Sequence, residues 1–322
     1  MPWLFPASKI YGMDLPSLLR FVALAALWGG SFLFMRIAAP VWGAVPTAFG
    51  RVVLGAAGLL ALLALVRLRP AFQGKLGAAL MLGVFNSGIP FLMFALAARV
   101  LPAGYSAILN ATTPLMAVVI GALAFGERIT LARVGGVVLG MGGVAVLAQA
   151  GPVVLTMPVL GGIAACLVAT ACYGLSGFLT RRWITQRGGL DSRLVALGSQ
   201  WGAVLALAPF ALWQTAQQPV ATWLSAGPAV WGAMLALGLL CTSFAYVLYF
   251  RLIADVGPVK ALTVTFLIPL FGVGWGWLVL GEAATLAHAA GGVLIAVALW
   301  LVLRPAPAAA APASTPAAAV RR

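Results

Sequence analysis

Arg51 is the one ionisable side chain set well inside an apolar run of span length, residues 45–66. A charge at such a position is costly and by default marks a functional residue. Two readings are open. The guanidinium draws the carboxylate of an anionic or zwitterionic substrate, or it snorkels to the outer interface or caps carbonyls of a neighbouring helix. Acid is missing from the same interior, since Asp14, Glu127, Asp191, Asp255 and Glu282 all fall in loops or at helix ends. The lone histidine, His288, sits near the outer end of the last run, and Cys166, Cys172 and Cys241 lie within runs, where thiols behave as small hydrophobes. No His–carboxylate or Cys–His pair shares a run and no metal-ligand cluster is visible, so neither an enzyme, a metal nor a cofactor is expected.

The remaining polar residues collect at weak points of the apolar runs. Pro114 and Pro269 interrupt two of them near the middle, each freeing a carbonyl and bending the helix. Asn110, Thr112 and Thr113 flank the first; Thr263 and Thr265 flank the second. Asn86-Ser87-Gly88-Ile89-Pro90 makes a similar weak point, answered by Thr242-Ser243. Broken helices in corresponding positions of two halves point to a binding site; the alternative is a set of packing kinks whose hydroxyls satisfy the freed backbone. Trp28, Tyr173, Tyr246 and Tyr249, with Ser31 and Ser176 close by in sequence, supply candidate walls for a mixed apolar and polar cavity.

These residues are carried by membrane spans. Charged residues are 7% of the 322-residue chain, against about 25% in soluble domains. Ten runs of span length follow, near 17–36, 45–66, 76–98, 103–125, 131–149, 158–180, 193–213, 229–251, 258–280 and 286–303, all of helical rather than barrel-strand length. With the N-terminus inside, all of the 19 Lys and Arg residues but Arg36, Arg51 and Arg99 fall on the cytoplasmic side. The net charge of +14 is therefore a topology signal, and no nucleic-acid partner is implied.

The chain is also duplicated. Pro114-Leu115, Gly121, Gly126-Glu127, Thr130-Leu131-Ala132 and Gly136 recur as Pro269-Leu270, Gly276, Gly281-Glu282, Thr285-Leu286-Ala287 and Gly291. Trp28-Gly29-x-Ser31 recurs as Tyr173-Gly174-x-Ser176. An offset of five spans turns the second copy upside down relative to the first, the arrangement used for alternating access. Gly126 and Gly281 suit left-handed helix ends, and Thr130 and Thr285 suit the caps that follow. Glu127 and Glu282, facing opposite compartments, read as structural.

The Trp-Gly-x-Ser-Phe stretch and the duplicated Pro-Leu…Gly-Glu-x-x-Thr unit resemble the EamA family of the drug/metabolite transporter superfamily, over about residues 17–303. The resemblance implies an all-α membrane protein of ten transmembrane helices in two inverted five-helix repeats, both termini cytoplasmic. Residues 1–16 form a cytoplasmic segment, 17–150 and 151–304 the two repeats, and 305–322 a disordered Ala/Pro-rich tail; residues 1–12 need not belong to the mature protein. It further implies a bacterial inner-membrane carrier, usually an exporter of amino acids or related metabolites, with a substrate path through the centre of the bundle; the polar and aromatic residues above place helices 1, 3, 4, 6, 8 and 9 along it. Its partners would be the small-molecule substrate and the lipid bilayer, with a monomer plausible. The small multidrug exporters of the same superfamily carry a glutamate in their first helix, where this chain reads Ala25-Ala26-Leu27-Trp28-Gly29-Gly30-Ser31. That departure argues against proton antiport and cationic substrates, and for movement down the substrate's own gradient. The competing readings are a lipophilic drug or toxic-compound exporter and a non-transporting membrane scaffold or sensor.

Overall fold

A computed structural model describes residues 13–127, 130–150, 153–217, 225–257, 261 and 263–303. The expectations for residues 1–12 and for the tail 305–322 lie outside the described residues. Among these the chain is helical throughout, with no β-strand. We label the helices α1 (Leu15–Trp42), α2 (Ala44–Leu65), α3 (Leu76–Ala97), α4 (Ala103–Phe125), α5 (Leu131–Ala150), α6 (Met157–Trp183), α7 (Ser192–Gln217), α8 (Pro228–Val256), α9 (Ile268–Leu280) and α10 (Leu286–Leu303). Seven of them, α1–α4 and α6–α8, are long and apolar enough to cross a membrane; α5, α9 and α10 are shorter apolar helices.

Helix ends follow from their residues. Asp14 caps α1, its carboxylate accepting from Ser17 N at 3.1 Å. Gly43, at φ 87°, makes the turn into α2 that a side chain would strain. Gly126 and Gly281 close α4 and α9 in the left-handed region, at φ 66° and 64°, and the next residues, Glu127 and Glu282, donate their N–H groups back to Gly121 and Gly276 at 3.0 and 3.1 Å. The duplicated motif thus folds twice into one corner. α1 continues through Pro40 to Trp42, beyond the expected end at residue 36, so Arg36 lies within the helix and not at its end. α9 begins later than residue 258: a 3-10 turn, Thr263–Phe266, precedes it, and residues 258–260 and 262 are not described.

Glycines set where helices meet. A methyl on Gly29 of α1 would stand 2.9 Å from Gly272 N of α9, and one on Gly174 of α6 would stand 2.9 Å from Ala117 N of α4. The repeated Trp/Tyr-Gly-x-Ser stretch therefore lays each half's first helix on the other half's fourth. Gly143 and Gly291 bring α5 and α10 together in the same way, a methyl on either standing 3.0 Å from the other's carbonyl oxygen.

The sequence-marked weak points take two forms. α3 and α8 widen into π-helical stretches, Val84–Gly88 and Ala236–Phe244. In α8, Thr242 and Ser243 donate to the carbonyls five residues back, Leu237 and Gly238, at 2.9 and 3.2 Å. Such bulges are frequent at functional sites. Pro90 enters the α-helical remainder of α3 directly after its π stretch. α4 instead breaks at Ala111–Thr112 ahead of Pro114, where Thr112 and Thr113 donate to Leu109 O and Asn110 O, both at 2.8 Å. Pro269 sits in the first turn of α9.

Candidate functional site

Arg51 projects from α2 into the protein and is 6% exposed. Its guanidinium carbon lies 3.6 Å above the Phe91 ring of α3. Nε donates to Thr242 Oγ1 in the α8 π stretch at 3.2 Å, and Nη1 approaches Met35 Sδ of α1 at 3.8 Å. The side chain is buried, and among the described residues it caps no carbonyl. Among the described residues no carboxylate lies within ion-pair distance of it. An aromatic face and a hydroxyl partly replace lost hydration, a cation–π contact being worth about 0.5–2 kcal/mol. Neither neutralises the charge, and an uncompensated buried ion costs several kcal/mol.

Around Arg51 stands a polar layer. Tyr173 of α6 and Tyr246 of α8 lie within electrostatic range of the guanidinium. Ser176 Oγ donates to Tyr173 O at 2.9 Å and also stands 3.3 Å from Asn86 Oδ1, which brings α6 against the α3 π stretch. Tyr246 faces Asn86 and Gln200, and Gln200 Nε2 donates to Ser87 Oγ at 3.0 Å. Trp28 and Tyr249 form an adjoining aromatic wall, their ring centroids 5.3 Å apart, which Phe250 extends to Tyr246.

Of the residues singled out in the sequence, Arg51, Asn86, Tyr173, Ser176 and Tyr246 meet in this layer, with Trp28 and Tyr249 beside it. Ser31 and Thr113 turn their hydroxyls onto their own helices, to Trp28 O at 2.6 Å and Asn110 O. Thr265 lies in the 3-10 turn before α9. The layer draws on α2 and α7, two helices outside the expected lining. Gln200, Met35 and Phe91 were not foreseen; only Gln200 carries a sequence signal, an amide in the middle of an apolar span.

Two other polar joints lie apart from this layer. Glu282, after α9, accepts from Ala103 N at the start of α4 at 2.8 Å, and Arg36 Nε stands 3.7 Å from it. His288, in the first turn of α10, uses Nδ1 to accept from Thr285 N at 3.2 Å. No group of three or more His, Cys, Asp and Glu suited to a metal occurs among the described residues. A groove of about 1050 Å³ runs along α9 and α10 past Phe266, Pro269, His288 and Trp300, and a hollow of about 450 Å³ lies beside Arg99 between α3 and α6. Neither is lined by a residue of the Arg51 layer.

Apolar helices, a twice-used corner and a charged side chain buried without a counter-ion among the described residues define a polytopic membrane protein built from two repeats around a polar interior. Residues 15–149 and 160–304 each match the EamA-like transporter family, and the chain belongs to it. It is 23% identical over 292 residues to "Uncharacterized transporter YoaV" of Bacillus subtilis (strain 168), an alignment covering 88% of this chain and 95% of that one. A crystal structure superposes with a TM-score of 0.57 at 20% identity, covering 89% of this chain and 96% of its own, a likeness of fold.

Proposed function

We propose that the protein is a bacterial inner-membrane carrier that exports amino acids or related zwitterionic metabolites by alternating access. Ten spans form two inverted repeats, residues 17–150 and 151–304, with both termini cytoplasmic. The observation that carries the reading is Arg51: a permanently charged group held in the interior by Phe91 and Thr242, with no carboxylate of the described residues beside it. A substrate carboxylate supplies the missing charge in the bidentate geometry a guanidinium favours. Membership of the transporter family and the cross-seated first and fourth helices support a moving two-half device around that centre. With no acidic side chain in the polar layer, transport runs on the substrate's own gradient.

The test is counterflow in proteoliposomes with a labelled metabolite panel, with and without an imposed pH gradient. Carboxylated amino acids should exchange, and the pH gradient should change their flux little. Exchange confined to cations or uncharged drugs, or accumulation abolished by an uncoupler, would overturn the reading. A reporter fused after Arg304 tests the topology and should report from the cytoplasm.

A further inference from the structure

We propose that Gln200 reads a hydrogen-bond donor on the substrate, so that Arg51 and Gln200 together select a carboxylate that also carries an amino group. The inference rests on the carboxylate reading of Arg51 and adds the second pole.

Gln200 lies in the interior of α7 and is wholly buried. Its amide is half satisfied: Nε2 donates to Ser87 Oγ at 3.0 Å, while no donor among the described residues reaches Oε1. Tyr246 faces the same amide, but its hydroxyl does not bond that oxygen. A sealed amide carbonyl without a donor keeps its full desolvation penalty, and such groups are few in native structures.

Its position gives the orphan a meaning. A methyl built on Gly55 would stand 3.2 Å from Gln200 Oε1 and 2.8 Å from Thr242 Cγ2. Gly55 lies one turn after Arg51 on α2, so the missing side chain there leaves room for the carbonyl on the face that carries the guanidinium. Thr242 links the two sides: its hydroxyl holds Arg51 Nε, and its methyl stands over the same glycine, Gly55, as Gln200 Oε1. The residues that hold the two poles, Thr242 and Ser87, both belong to π-helical stretches. An unneutralised cation and an unmet acceptor are thus linked through Thr242 and Gly55. A simple carboxylate answers the first and a simple amine the second; an amino acid answers both.

The discriminating experiment measures binding to the purified full-length protein of three probes with one side chain: phenylalanine, 3-phenylpropionate, which lacks the amine, and phenethylamine, which lacks the carboxylate. Wild type should favour phenylalanine over 3-phenylpropionate by about tenfold or more, the scale of one well-made hydrogen bond to a charged donor. Gln200→Met keeps the shape, loses that preference and leaves 3-phenylpropionate affinity unchanged. Gln200→Glu keeps an acceptor at the site and retains the preference. Equal loss of both carboxylates in Gln200→Met, or loss of the preference in Gln200→Glu, overturns the role of Gln200 alone; the latter means that the amide presents its N–H₂ there. Phenethylamine binding as well as phenylalanine, or no binding of any probe, overturns the carboxylate reading and this inference with it.

Discussion

Arg36 and Arg51 stand on consecutive helices and meet opposite surroundings. Arg36 is half-buried, donates to Ala98 O at 2.8 Å and lies 3.7 Å from Glu282, whose carboxylate also holds Ala103 N. One arginine and one glutamate thereby tie the end of α3, the start of α4 and the end of α9 to α1. Arg51 is more deeply buried, yet it is held by a ring, a hydroxyl and a thioether, none of them charged. A charge neutralised within the chain serves as a joint. A charge left open in the interior is the one the proposed substrate carboxylate would meet.

The contrast breaks most sharply under substitution by methionine. Arg51→Met should lower flux of carboxylated substrates by about a hundredfold, the loss of a buried charge-assisted pair, without lowering thermal stability, since removing an unpaired buried ion is neutral or stabilising. Arg36→Met should do the reverse, lowering the unfolding temperature in detergent while leaving substrate selectivity unchanged. Reversal of the two outcomes would assign the roles the other way round.

The duplicated corner sharpens the comparison at a smaller scale. Glu282→Ala strips the acceptor from Ala103 N and the partner from Arg36, at a cost of about 1–3 kcal/mol. Glu127→Ala in the other copy should cost under about 1 kcal/mol, because its pair with Arg133 is 4.0 Å long and exposed. Thermal unfolding of the two variants side by side measures the difference; equal losses would mean that the corner turn alone, and not the joint, carries the stability.

The smallest effect belongs to a loop carboxylate. Asp191 accepts from Arg193 N, Nε and Nη2, and the Arg193 side chain holds its carboxyl below the usual carboxylate range. Its contribution is present in full above that range and fades as pH falls through it. Asp191→Asn should therefore differ from wild type slightly at neutral pH and not at all in strong acid; a gap that widens on acidification would contradict this.

Much of this architecture is legible in the residues, because duplication and hydropathy act over long stretches. The repeated Gly-Glu corner, the close glycines Gly29 and Gly174 and the breaks at Asn86–Pro90 and Thr242-Ser243 all announce themselves in sequence. The form of the breaks does not. Whether a weak point becomes a π bulge, as in α3 and α8, or a capped interruption, as in α4, depends on which neighbours receive the hydroxyls. The partners of Arg51 are equally hidden, since Phe91 and Met35 are unexceptional residues in an apolar span and gain their role only when α1, α2 and α3 are packed. The end of α1 is hidden too, since the helix runs past residue 36 and through Pro40 to Trp42.

The most direct test of the uncompensated charge is selectivity of Arg51→Lys at matched membrane expression. Lysine keeps the charge but loses the planar fork. Flux of carboxylated substrates should fall by about tenfold or more, while uncharged analogues of the same size move as in wild type. Equal flux to wild type for every substrate, or an equal loss across charged and uncharged ones, would contradict a carboxylate site at Arg51.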